Sequence, residues 1–197
     1  MKLTPSQDGT IAVGASADKK VHLMDLNSSQ TMTLEGHTSP VRAVRFVDVP
    51  SANAPIIASG SWDKTVRYWD MRQQQPIGVL ELPERVYAMD TGGSALVLGT
   101  AENQIHFVNL HNNPLQVSRS TESTLKHQTS ALSVSADGSR WAAGGIDGRC
   151  VNQVVDEKDT RWVSFIILPL IYPLTNFSAS KNCHSSAIAS QSPTRKT

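Results

Sequence analysis

The sequence predicts an all-β chain in which short strands recur at a regular spacing. Three observations carry this expectation. One strand–turn–strand pattern occurs four times, its turns stand 45, 40 and 44 residues apart, and no window shows the apolar period of an amphipathic helix. Units of that spacing that hold only short strands are the blades of a β-propeller. A helical bundle or a βαβ architecture fails on the pattern.

The elements follow in order. The first runs are Ile11 to Ser16, Ile56 to Ser61, Ala95 to Thr100 and Trp141 to Ile146, each apolar and ending in small residues. Turns start at Asp18, Asp63, Asn103 and Asp147. Second runs follow at Val21 to Leu26, Val66 to Asp70, Ile105 to Leu110 and Cys150 to Val155. Asp and Asn suit these turns because their side chains bond the backbone two residues on. Asp147-Gly148 reads as a two-residue hairpin turn. The runs are apolar on both faces, as strands sandwiched between neighbouring sheets should be. Blades are expected near residues 3–26, 34–72, 79–110 and 116–156, within a propeller region 1–160.

The second repeat is the most specific. Gly36-His37 precedes it, Ser59-Gly60-Ser61-Trp62-Asp63-Lys64 spans its turn, and Trp69-Asp70 closes it. These residues resemble a WD-repeat blade. The resemblance implies a buried hydrogen-bonded chain of His37, Ser59, Asp63 and Trp69. The chemistry is self-consistent: an indole N–H only donates, a carboxylate only accepts, and the hydroxyl and imidazole between them do both. Counting four back and six on from the other turns gives Gly14 and Met24, Gly99 and Asn109, and Ala143 and Gln153. Those repeats lack the chain and are expected to hold by apolar packing alone.

The text around the repeats narrows the resemblance. Tyr68-Trp69-Asp70-Met71-Arg72, Leu82-Pro83-Glu84-Arg85, Ser123-Thr124-Leu125-Lys126-His127 and Gly148-Arg149-Cys150 stand in this order. Together they resemble the WD-repeat mRNA export propeller of the nuclear pore, over about residues 3 to 159. The mitotic-checkpoint propeller of the kinetochore is a close relative that shares much of this text. The resemblance implies a non-enzymatic scaffold in the nucleus, at the nuclear pore or envelope, with the cytoplasm as an alternative. Its implied partner is the short Glu-rich GLEBS segment of a nucleoporin, with messenger ribonucleoprotein or RNA as a second. Arg149, after Asp147-Gly148, matches a family arginine that faces the acidic segment, and a guanidinium grips a carboxylate with paired hydrogen bonds. Lys126 and Arg85 are further candidates for partner contact. A kinetochore checkpoint scaffold, a ubiquitin-ligase substrate receptor and a truncated non-functional gene product are the alternative readings.

Charge excludes one class. Lys and Arg number 18 against 17 Asp and Glu, so bulk charge does not point to nucleic acid. Lys19, Lys20, Lys64, Arg67 and Arg72 sit in or near turns and are expected to be ordinary solvated surface, whereas Arg42 and Arg45 flank the core. The cysteines, Cys150 and Cys183, make neither a disulfide framework nor a four-ligand zinc site. No phosphate loop, dinucleotide fingerprint, nucleophile elbow or zinc-protease motif occurs, so no catalytic, cofactor or metal residues are expected. No signal-peptide core or run long enough to span a bilayer is present, which predicts a soluble intracellular protein without a small-molecule substrate.

The resembling family has seven blades, and four are visible here. An open arc is expected to leave two unpaired apolar sheet faces, an aggregation liability. Residues 161–197 form a non-propeller tail. Its last 35 residues hold seven Ser, three basic residues and no acid, which predicts disorder. The abrupt change at Trp162-Val163 suggests a translated intron or shifted frame.

Overall fold

The computed structural model describes residues 2–6, 8–50 and 54–154. The tail read as non-propeller lies outside the described residues. Within them the chain is all-β and forms four propeller-like antiparallel sheets, with one three-residue 3-10 turn at Ala101–Asn103. The first sheet is β1 (Lys2–Pro5), β2 (Ile11–Ala15), β3 (Val21–Asp25) and β4 (Thr31–Leu34). The second is β5 (Val41–Val47), β6 (Ile56–Ser61), β7 (Thr65–Asp70) and β8 (Pro76–Glu81). The third is β9 (Val86–Gly92), β10 (Ala95–Thr100), β11 (Gln104–Asn109) and β12 (Val117–Glu122). The fourth holds β13 (Thr129–Val134), β14 (Arg140–Gly145) and β15 (Cys150–Val154). Each strand pairs with the next in sequence, so every sheet is a meander.

The sheets end one strand later than the repeats read from sequence. β8 pairs with β7, and β12 pairs with β11, so Pro76–Glu81 and Val117–Glu122 close the second and third sheets. The repeat boundaries at 79 and 116 had assigned these strands forward. The outer strands explain the difference. Val117–Glu122 is Ser- and Thr-rich and no residue in it is fully buried, so it carries no apolar run to mark it.

Both faces of the inner strands are covered. β6 is buried along its whole length. Ile57 and Trp69 join Val13, Ala15 and Leu23 of the first sheet, while Ala58, Val66 and Tyr68 join Leu96 and Leu98 of the third. Ala88, Val97 and Phe107 meet Leu132, Trp141 and Ala143 of the fourth, with Phe107 and Trp141 edge to face at 5.9 Å. Alternate residues on one strand thus feed alternate interfaces. Close approach depends on missing side chains. A Cβ on Gly60 would stand 2.7 Å from Val86 Cγ1, and one on Gly99 would stand 3.1 Å from Leu132 Cδ1.

The turns share one device. The amides of Lys20, Thr65 and Arg149 donate to the side chains of Asp18, Asp63 and Asp147, at 3.0, 3.1 and 3.3 Å. The residue after each aspartate is left-handed: Lys19 at φ 72°, Lys64 at 67° and Gly148 at 79°. The Asp147-Gly148 turn is therefore not the expected two-residue loop. Gly145 receives the Gly148 amide and donates its own to Arg149, the longer loop with a glycine bulge. The third turn has the same length but a different conformation, with Glu102 and Asn103 both at positive φ.

Candidate protein-interaction site

One face of the sheets gathers the starts of the inner strands and the turns after the second strands. Its most ordered turn belongs to the second sheet. Trp69 Nε1 donates to Ser59 Oγ at 2.7 Å, and Ser59 Oγ lies 2.8 Å from His37 Nε2. His37 Nδ1 lies 2.7 Å from Asp63 Oδ2. Burial lowers the pKa of His37 despite the opposing pull of Asp63, so the ring is neutral and donates from Nδ1. The contact to Asp63 is then a hydrogen bond rather than an ion pair. Burial works against the Asp63 charge as well, but bonds from Thr65, His37 and the Thr38 amide more than offset it and hold its pKa down. Donation runs one way, from Trp69 through Ser59 and His37 to Asp63. Gly36 belongs to the same unit, because a Cβ there would stand 2.7 Å from Arg67 Nη1 and 3.1 Å from the Trp69 ring.

The other sheets differ from the expectation of purely apolar packing. In the third, buried His106 bridges Thr100 Oγ1 at 3.1 Å and Ser120 Oγ at 2.7 Å. Glu102, not Asn103, holds the place of Asp63, so Leu98 and Val108 occupy the places of Ser59 and Trp69 rather than Gly99 and Asn109. Arg45, read from sequence as a flanking residue, joins sheets. Its Nε donates to Asp90 Oδ1 at 2.6 Å and its Nη1 to Thr4 Oγ1 at 3.0 Å, while Asp90 Oδ2 accepts the Val134 amide at 2.8 Å. One arginine–aspartate pair thereby links the innermost strands β1, β5, β9 and β13 across all four sheets. Single residues on four separate strands leave no local spacing, so sequence reasoning had no signal for it.

An open pocket of about 450 Å³ occupies the same face. Ala15, Pro40, Arg42, Trp62, Tyr87 and Ile146 contribute to its lining. Trp62 and Ile146 are exposed, and Trp62 stands edge to face with Tyr87 at 5.9 Å. Large aromatic and apolar side chains beside an arginine suit a peptide-binding surface. Arg149 extends from the turn that carries Ile146, half exposed, with Nε 3.5 Å from Asp147 Oδ2. Lys126 is exposed just before β13, and Arg85 just before β9, where its carbonyl accepts the Ala101 amide. Among the basic turn residues, Lys20 pairs with Glu35 at 2.6 Å and Lys64 with Glu84 at 2.8 Å. Trp62 and Tyr87 were not singled out from sequence, and Arg42, read there as flanking the core, is exposed in the pocket lining; the Trp between Ser61 and Asp63 was the available signal.

Comparison with known proteins bears on both fold and role. Residues 28–70 match the family model "WD domain, G-beta repeat". The chain is 42% identical over 154 residues to the Poly(A)+ RNA export protein of Schizosaccharomyces pombe, covering 78% of this chain and 43% of that protein. It is 40% identical over 153 residues to the mRNA export factor GLE2 of Chaetomium thermophilum, covering 78% of this chain and 42% of that protein. The chain belongs to the WD40-repeat family. Within it the similarity runs to the mRNA export factors, and at lower identity to the Mitotic checkpoint protein BUB3.1 of Arabidopsis thaliana, 33% over 145 residues, 71% of this chain and 41% of that protein. The chain spans less than half the length of these relatives. The matched WD40 span opens before β4 and closes with β7, so it holds His37, Ser59, Asp63 and Trp69 together.

Proposed function

We propose that this WD40 chain is a non-enzymatic scaffold of mRNA export, working at the nuclear pore, and that the pocketed face binds an acidic nucleoporin segment of the GLEBS type. The observation that carries the reading is the apolar pocket at Trp62, Tyr87 and Ile146 with Arg42 in its lining; exposed Arg85, Lys126 and Arg149 stand two or three residues along the chain from lining residues Tyr87, Gln128 and Ile146. An acidic segment with apolar residues would seat the latter against Trp62 and place carboxylates within reach of these basic residues. Arg149 is tied to its own turn by one nitrogen, which leaves the rest of the guanidinium fork for a carboxylate. The relatives named for mRNA export support the role. The mixed surface charge favours a peptide over RNA, because phosphate recognition draws on a concentrated basic patch.

Fluorescence anisotropy with a labelled acidic nucleoporin peptide tests this. Trp62→Ala and Arg149→Glu should each weaken binding roughly tenfold or more, in line with removal of an aromatic anchor or a charge-assisted contact. Unchanged affinity in both variants, with the fold intact by circular dichroism, would remove the reading. A checkpoint-kinase peptide bound more tightly than the nucleoporin peptide would favour the kinetochore scaffold instead.

A further inference from the structure

The outer edge of the second sheet differs from those of its neighbours. β4 exposes Thr31, Met32 and Thr33, and β12 exposes Ser118, Arg119, Ser120 and Glu122, so both of those edges are largely polar. Polar and charged side chains protect an edge strand from pairing with another strand. β8 lacks that protection at its centre. Ile77 and Val79 are 48% and 41% exposed. β8 is also the last strand of its sheet, so among the described residues nothing pairs with its outer side.

The ladder shows which groups that edge offers. Leu82 donates to the Lys64 carbonyl at 2.8 Å, and the register sets Val66 opposite Leu80 and Tyr68 opposite Gly78. Bonded pairs alternate in an antiparallel ladder, so Gly78 and Leu80 bond to β7, and the amides and carbonyls of Ile77 and Val79 point outward. The side chains of Ile77 and Val79 share one face of the sheet, and Gly78 belongs to the other. That other face is covered from the third sheet. A Cβ on Gly78 would stand 2.7 Å from Leu115 Cδ2, and Tyr68 Oη donates to the Pro114 carbonyl at 2.7 Å. Leu115 is itself 49% exposed, so apolar surface borders the open edge on both faces. Charge has a direction along the edge. Glu81 is exposed at one end, Arg72 is exposed in the turn that leads into the other, and neither makes an ion pair among the described residues.

We infer that two copies of this chain pair through β8, antiparallel about a two-fold axis at Gly78. An edge of outward amides and carbonyls takes an extended strand, and this edge is complementary to itself. Antiparallel pairing sets Ile77 of each copy opposite Val79 of the other, where their outward backbone groups exchange hydrogen bonds, and sets the two Gly78 residues opposite each other as the closely spaced, non-bonded pair. Ile77 and Val79 of both copies then cover one face, and the two Leu115 side chains meet on the other. Glu81 of each copy comes to the end where the other carries Arg72. Such an interface uses the same patch on both copies and closes at two, which gives a dimer rather than a filament. It covers on the order of 1,000 Å², the low end for specific association, so the dimer depends on concentration. No residue of β8 lines the pocket at Trp62, so pairing leaves that pocket to other partners.

Light scattering of the full chain at about 100 µM, a concentration suited to an interface of that size, should give twice the 21.4 kDa chain mass. Ile77→Glu and Val79→Lys should each give monomer at an unchanged melting temperature, since both side chains are half exposed. The two substitutions in one chain should restore the dimer, because the introduced acid of each copy faces the introduced base of the other. A double variant that stays monomeric overturns the pairing, since a register with Val79 opposite Val79 would set two bases together. A monomeric parent overturns it, as does a dimer that survives both single substitutions. A monomeric parent that captures a synthetic peptide of residues 75–82 would overturn the second copy as occupant and assign the edge to a strand of another protein.

Discussion

Replacing Ser59 by alanine removes one oxygen atom and strands two buried groups. The Trp69 indole N–H, bonded to that oxygen at 2.7 Å, loses its acceptor, and His37 Nε2, at 2.8 Å, loses its donor. Ser59 and Trp69 are fully buried, so water does not replace either bond without opening the junction between the first and second sheets. Each stranded group costs about 1–3 kcal/mol, and the vacated volume is too small to add much, so the loss is about 2–5 kcal/mol. Ser61 supplies an internal control on the same strand at the same burial. Its hydroxyl donates to the carbonyls of Ser39 and Pro40 and accepts the Asp63 amide at 3.2 Å; Pro40 keeps the Trp62 amide when that hydroxyl goes, and the Asp63 amide lies in a part-buried turn that water reaches. Ser61→Ala should therefore cost only about 1 kcal/mol. Urea denaturation of both variants, compared by midpoint at unchanged slope, measures the difference. Equal losses, or a Ser59→Ala loss below about 0.5 kcal/mol, would refute the account of Trp69, Ser59, His37 and Asp63 as one cooperative chain.

Three other outcomes are expected. Lys19→Gly should stabilise by up to about 1 kcal/mol, since Lys19 sits at φ 72° where only glycine is unstrained; a lower melting temperature would contradict this. Arg45→Met leaves the partly buried Asp90 carboxylate without its ion partner and should cost about 2–4 kcal/mol, with Asp90→Asn costing less because the amide oxygen still accepts the Val134 amide; a negligible loss in Arg45→Met would show that the link is ornamental. Burial lowers the pKa of His37 and His106 below the usual 6.5, so the unfolded chain takes up protons first and stability falls as pH drops below 6.5. Asp63, held below 3.8, adds stability above that value and loses it in stronger acid. The urea midpoint should be lower at pH 5 than at pH 7.5, His106→Gln should shrink the drop, and a flat profile would exclude neutral buried histidines.

The strand pattern, the turn positions and the residues of the second-sheet hydrogen-bonded chain were legible along the chain because each depends on neighbours in sequence. Aspartate capping its own turn at Asp18, Asp63 and Asp147 is a local event, and the four apolar runs announce strands covered on both faces. The outer strand β12 was misassigned because a Ser- and Thr-rich strand has no apolar signature. The register of the third repeat was hidden for a different reason: Asn103 has the side chain typical of these turns, but Glu102 holds the place of Asp63, so a count from Asn103 runs one residue late. His106 escaped notice because its partners Thr100 and Ser120 lie on two different strands.

What the amino-acid order determined by itself is the unit: a meander of short strands, its aspartate turns, and one repeat with Gly36-His37 and Trp69-Asp70 at fixed spacing. Only the tertiary structure decided what the units share. Arg45 reaches Asp90 and Thr4, 45 and 41 residues away, across two sheet junctions, and Trp62 meets Tyr87 over the same junction as Asp90. Gly60 and Gly99 accept side chains from the next sheet. Hydrogen bonds within a turn are written in neighbouring residues, whereas a packed junction exists only once two sheets face each other.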